Sequence, residues 1–330
     1  MLSVQFVKMK LPKSIAKNSI GIILSMLLIV LIYGVVGTPL PHGEIAYTSG
    51  IVDSVGCRTS GGLANDSGLK VWCWSDVNIP EYTGQQGVAF SDGQLKVDSE
   101  CDERQVTIVN GQLVFSLDPS SPPPGKWCAK NFNMRAEIRT VPWHVNHKKG
   151  TEEWFGWSYT FGSDYIIDKE TPWLFFQVHP GIQNVAPQMA LWVIKKNQFN
   201  GHEAGEIYVV NTANNTEYQP TGIIPEAGET LNIVIHAVWD DAANGLLQIW
   251  LNGVSVYDRQ VATVFDKYPW GGNAKWGIYK WRWANADDVK KSRQKGVTKL
   301  QTSMGPLRMI TRTPDHPAYG KNAYSTVMPQ

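Results

Sequence analysis

Three short segments carry side chains whose types and spacing suit proton chemistry beside a carboxylate. Arg135-Ala136-Glu137-Ile138-Arg139 alternates charged with apolar residues. Side chains on a strand point alternately to opposite faces, so Arg135, Glu137 and Arg139 share one face. Two guanidiniums there suit a substrate carboxylate, and Glu137 stands with them to hold one in place. Gln177-Val178-His179 puts an amide donor and a group that titrates near neutrality on one face. Lys275-Trp276-Gly277-Ile278-Tyr279 does the same for Lys275 and Tyr279, with Gly277 leaving room between them. Four strand residues span roughly 13 Å, so Lys275 reads as a ligand for a neighbouring sugar carboxylate rather than a partner of Tyr279. Together the set fits removal of a proton next to a carboxylate, as at C5 of a uronate. Cations and amides make an enolate-like intermediate accessible, a base takes the proton and an acid protonates the departing oxygen. His179 and Tyr279 can fill both roles, Gln177 and Arg135 can neutralise, and no metal is needed.

These side chains need a sheet to hold them. From residue 131 onward, β-branched and aromatic runs are separated by Gly, Asn, Asp and Pro. Strands are expected at 134–141, 154–161, 173–179, 189–194, 206–210, 231–239, 246–251, 254–260 and 275–283. Asn252-Gly253 between two of these runs suits a type I′ hairpin turn. No helix longer than a few turns is expected after the N-terminal segment. Many short strands over a long stretch imply an all-β fold, a sandwich or jelly roll.

The remaining features bound the environment. Lys8, Lys10, Lys13 and Lys17 precede an uncharged apolar run from Ile20 to Val36. It reads either as a signal peptide cleaved before Thr38 or as a membrane anchor. Both place the rest outside the cytoplasm, as a secreted or anchored protein. The chain then divides into 1–37 (signal or anchor), 38–50 (linker) and 51–330 (jelly-roll domain). Cys57, Cys73, Cys101 and Cys128 lack metal-ligand spacing and read as two disulfides, with three pairings open. Net charge is +1 over 330 residues, so no global field draws in nucleic acid or a membrane, and an anionic substrate must be met by a local cluster. The 14 Trp and 12 Tyr offer flat faces for sugar rings as well as core material. Trp157 and Trp281 are taken as substrate-facing. The acidic turn Asp240-Asp241-Ala242-Ala243-Asn244-Gly245 allows a structural calcium, though no cofactor is required. A monomer is expected. His144-x-x-His147 has no third ligand in sequence, His236 reads as structural, and Lys290, Lys291, Arg293 and Lys295 read as a solvated run.

Arg-x-Glu-x-Arg, Gln-x-His and Lys-x-Gly-x-Tyr, in that order, resemble the signature of jelly-roll alginate lyases. The stretch Glu153-Trp154-Phe155-Gly156-Trp157-Ser158, the Gln-x-His and Trp276-Gly277-Ile278-Tyr279 are more similar to the heparin lyase I and glucuronan lyase group. The resemblance covers roughly residues 131–283. It implies a β-jelly roll of the concanavalin A-like sandwich type and a carbon–oxygen lyase that cuts a uronic-acid polysaccharide by β-elimination into unsaturated oligosaccharides. It further implies His179 as base, Tyr279 as acid or as both, and Gln177 with Arg135 or Arg139 as neutralisers. Trp276, Trp281 and Arg282 depart from the alginate lyase pattern. The competing readings are a glycoside hydrolase on a related jelly roll, which needs paired carboxylates, and a non-catalytic carbohydrate-binding protein.

Overall fold

The computed structural model describes residues 68–74, 94–99, 105–119, 134–144 and 147–330, all within the unit spanning residues 50–330. The basic and apolar N-terminal run, the 38–50 linker, Cys57, Cys101 and Cys128 lie outside the described residues. Cys73 is disulfide-bonded.

Sixteen strands form among the described residues. In chain order they are β1 (Leu69–Trp72), β2 (Leu95–Ser99), β3 (Val106–Val109), β4 (Gln112–Leu117), β5 (Arg135–Thr140), β6 (Thr151–Phe161), β7 (Trp173–His179) and β8 (Met189–Val193). There follow β9 (Ile207–Asn211), β10 (Glu217–Pro220), β11 (Thr230–Trp239), β12 (Leu246–Leu251), β13 (Val254–Gln260), β14 (Asn273–Tyr279), β15 (Leu300–Met304) and β16 (Leu307–Arg312). They make two antiparallel sheets. One runs β13-β12-β11-β6-β15-β4-β3, with β16 also on β6 and β1 on β16. The other runs β10-β9-β8-β7-β14-β5-β2. The result is a β-jelly roll. The expected hairpin is present: Leu251 pairs with Val254, and Asn252 and Gly253 take φ of 50° and 80°.

The core lies between the sheets and is built by alternation. Phe155, Trp157, Tyr159 and Phe161 of β6 face Phe175, Phe176 and Val178 of β7 and Trp276 and Ile278 of β14. Trp157, expected to meet substrate, is instead 0% exposed. Its ring lies 4.9 Å from Phe176 and 6.2 Å from Trp276, edge-on to the latter. Full burial of such a side chain stabilises by about 2–3 kcal/mol, which explains why an indole on an inward position stays there. A bulge lets both Phe175 and Phe176 reach the core and returns Gln177 and His179 to the other face.

The opposite face of β6 is covered too. The C-terminal helix α2 (Tyr324–Val327) lies so close that a Cβ on Gly156 would sit 1.8 Å from the Val327 carbonyl oxygen. His236 stacks on Trp154 at 3.8 Å and bonds Gln248, which bears out its structural reading. Lys290, Lys291 and Arg293 of the basic run lie on helix α1 (Ala286–Gln294), with Lys295 at its C-cap, Asn285 at its N-cap, and Asp287 and Asp288 in its first turn. Among the described residues no helix is long and apolar enough to cross a membrane.

Candidate active site

The face of the second sheet turned away from the core gathers the expected polar residues, because register aligns three separate segments. Arg139 stands opposite Lys275, and Lys275 opposite Gln177. Glu137 stands opposite Gly277, and Arg135 opposite Tyr279, which in turn meets Leu174. His179 stands opposite Asn273. One strand further out, β2 brings Asp98 opposite Glu137.

Asp98 was not anticipated, and it organises the cluster. Lys275 Nζ lies 2.8 Å from it, Arg135 3.4 Å and Arg139 3.8 Å. Burial opposes its charge, but Lys275, Arg135 and Arg139 prevail and hold its carboxyl well below the usual range. Glu137 accepts from Gln177 at 2.7 Å and lies 3.4 Å from Arg135. Burial nevertheless pushes the Glu137 carboxyl upward, and the charge of Asp98 adds to this. The two carboxylates are 2% and 0% exposed, so they serve as counter-ions and are not presented to a sugar as a hydrolytic pair.

Depth corrects two expectations. Lys275 is 1% exposed and Glu137 0% exposed, so neither side chain is presented at the surface for a sugar. A cation this deep needs a paired anion, and Asp98 is that anion. Gln177 is also buried, at 1%. The cations nearest the surface are Arg135 and Arg139, whose side chains are 13% and 11% exposed. Counting Arg135, Arg139 and Lys275 against Asp98 and Glu137, the ion-paired cluster carries one surplus positive charge when all are ionised.

Tyr279 and His179 are half-buried and frame this cluster from opposite ends. Their levels on β7 differ by five positions, 174 against 179, or roughly 16 Å along an unbent strand. The Arg135 guanidinium lies over the Tyr279 ring at 4.2 Å, and its charge is also felt by His179. Burial, then Lys275 and Arg135, lower the His179 pKa to about 4. Its Nδ1 accepts from the Gly181 N–H at 3.0 Å. The neutral ring therefore carries its proton on Nε2 as a donor, one that the Val185 backbone also engages. Trp143 closes this end, its ring 5.1 Å from His179 and 4.7 Å from the Lys275 ammonium.

Tyr279 is held from below. Gly277 takes φ of 131°, and a Cβ there would meet the Ala136 carbonyl oxygen at 2.2 Å. The Tyr159 hydroxyl crosses the core to donate to the Gly277 carbonyl at 2.9 Å. The strand ends at Tyr279, not at 283 as expected; Trp281 opens a short 3-10 helix, Trp281–Ala284. Lys280 anchors that turn from inside, 2.9 Å from Asp168. The Trp281 ring lies 5.9 Å from Tyr279.

The other candidate groups settle as structure. Lys149 lies 2.8 Å from Asp241 and 3.5 Å from Asp240, so a lysine already occupies the acidic turn. His147 faces Glu153 at 3.3 Å, while His144 is exposed. No group of three metal-ligating side chains occurs among the described residues.

A family model described as polysaccharide lyase matches residues 76–299, the stretch that holds every residue of this face. No curated protein matches the chain. Similar solved structures include an endo-β-1,4-glucuronan lyase from the fungus Trichoderma reesei, at 15% identity and TM-score 0.44, covering 74% of this chain and 93% of that one. A polysaccharide lyase of family 18 is similar at 16% identity and TM-score 0.46, covering 68% and 96%. Alginate lyase A1-II′, of polysaccharide lyase family 7, is similar at 12% identity and TM-score 0.46, covering 67% and 95%.

Proposed function

The chain belongs to the polysaccharide lyase family, and from that premise we propose that the Arg135–Tyr279 face is where it cuts a uronic-acid polysaccharide by β-elimination. The observation that carries this reading is the Arg135 guanidinium lying 4.2 Å from the Tyr279 ring. It sets a carboxylate-binding cation and a proton-transfer group against the same sugar.

In this reading Arg135 and Arg139 receive the uronate carboxylate, and Gln177, buried beneath them, holds Glu137 in place. Withdrawing negative charge from that carboxylate stabilises the enolate-like species formed when the C5 proton leaves. Tyr279 takes that proton and returns one to the glycosidic oxygen as the C4–O bond breaks. His179 is the donor in this scheme. Its Nδ1 lone pair is committed to Gly181, and it stands a strand's length from Tyr279, so it steadies the neighbouring part of the chain through Nε2–H. This favours Tyr279 in both roles over a His179 base.

Incubation with glucuronan, alginate and heparin-like glycans, followed by mass spectrometry, tests the reaction. Unsaturated oligosaccharides with ultraviolet absorbance are expected from at least one polymer. Products heavier by one water per cut would refute β-elimination.

We also read the protein as a monomer delivered outside the cytoplasm, secreted or held by residues 20–36. A disulfide at Cys73 supports this, since such bonds persist in oxidising compartments. Thiol titration of the unfolded, unreduced protein should find no free cysteine.

A further inference from the structure

Beside Tyr279 the sheet face continues into a second recess. Trp192 of β8 lies on the row of Tyr279: Tyr279 pairs with Leu174, and Leu174 with Trp192. Two strand spacings separate Tyr279 from Trp192, about 10 Å, which is the length of two sugar units. The ring contacts are continuous over this distance, with Tyr279 5.9 Å from Trp281 and Trp281 5.2 Å from Trp192. Both indoles are only half-buried. They border a cavity of ≈ 380 Å³ with Lys195, Arg282, Lys291, Asp288 and Glu170 on its walls, a size within the range of about 300–1,000 Å³ common for small-ligand sites.

The charges of this recess are unevenly spent. Asp288 is engaged by Arg282 at 2.8 Å and Lys291 at 3.2 Å. Lys195 and Glu170 are both half-buried on its wall and neither makes an ion pair with a described residue, so Lys195, Arg282 and Lys291 outnumber Asp288 and Glu170 by one positive charge. Flat aromatic faces suit a pyranose ring, and an uncommitted ammonium beside them suits an anion. Lys280, buried and paired with Asp168, fixes the turn that carries Trp281 and Arg282, so the recess is built into the fold.

We propose that the Trp192–Trp281–Lys195 recess is a distal subsite that binds a further uronate of the same polysaccharide chain, about two sugars from the bond broken at Tyr279. The proposal rests on the lyase reading above. It makes turnover depend on oligosaccharide length: only substrates long enough to reach Lys195 gain from it.

The test is kcat/KM on a graded series of oligouronates, from the shortest one cleaved upward, for the wild type, Lys195→Ala, Lys195→Glu and Lys195→Arg. Wild-type kcat/KM should rise with length. Lys195→Ala should lose roughly tenfold, about 1.4 kcal/mol, on long substrates and nothing on the shortest. Lys195→Glu should lose more, and Lys195→Arg should recover most of the effect. Equal loss at every length, or no loss at any length, would overturn the subsite while leaving the lyase reading intact. A wild type that yields no unsaturated product from any member would overturn the lyase reading, and the subsite with it.

Discussion

Lys275→Met separates a buried counter-ion from a sugar ligand. Lys275 is 1% exposed, and its ammonium lies 2.8 Å from Asp98, itself 2% exposed. At an effective dielectric constant of about 20, that contact carries a Coulomb energy of about 6 kcal/mol before the cost of desolvating both charges. Methionine keeps the length and loses the charge, so Asp98 remains buried with Arg135 at 3.4 Å and Arg139 at 3.8 Å. Removing one partner of such a pair costs about 3–5 kcal/mol. Urea unfolding of wild type, Lys275→Met, Asp98→Asn and the double variant forms a complete cycle. Each single variant should lose several kcal/mol, and the double should lose much less than their sum. Turnover should fall in Lys275→Met, because Asp98 then draws more strongly on the two arginines that face the substrate. A fully stable Lys275→Met with raised KM and unchanged kcat would refute this reasoning and return Lys275 to the role of sugar ligand.

Tyr279→Phe keeps the ring under Arg135 and deletes the hydroxyl; kcat should fall about 100-fold or more, with an unchanged unfolding midpoint, and near-normal turnover would end the proposed mechanism. His179→Asn retains a donor and should keep most of the turnover, whereas His179→Ala should lose about 10- to 100-fold, the worth of a hydrogen bond to a charged group; equal, near-total loss in both would make His179 the base. The folded His179 pKa is about 4 against the ordinary value of 6.5, so between these the unfolded chain binds more protons. Stability is then fully present above pH 6.5 and declines as pH falls toward 4, with His179 supplying about 3 kcal/mol of the loss. Urea midpoints at the two ends of that window should differ less in His179→Gln than in wild type.

The central strands were legible because their evidence is local. Runs such as Trp173–His179 and Leu246–Leu251 are β-branched or aromatic and end in turn residues, and the structure keeps those bounds. β15, with the sequence Leu-Gln-Thr-Ser-Met, has little local signal; it is a strand because β4 and β6 lie on either side of it. The site divides in the same way. Alternation placed Arg135, Glu137, Arg139, Gln177 and Tyr279 on one face. Depth was not readable, because it depends on Asp98, which arrives on a strand remote in sequence. Lys96-Val97-Asp98 does alternate, but nothing nearby shows that it will pair with β5. Trp157 was misplaced for a related reason: β6 is covered on both faces, so its aromatic content carries no record of which residues meet solvent.

Gly277 bears on how this protein can be altered. A side chain there would run into the Ala136 carbonyl, the Glu137 Cα and the Phe115 ring, and its own carbonyl is tied to Tyr159. A combinatorial library aimed at new sugar specificity can vary Trp192, Lys195 or Trp281 freely but must leave position 277 untouched. The same tie runs the other way. Repacking Phe115 or Tyr159 for heat resistance would shift the floor beneath Tyr279, so thermostability and turnover in this enzyme have to be selected together rather than in succession.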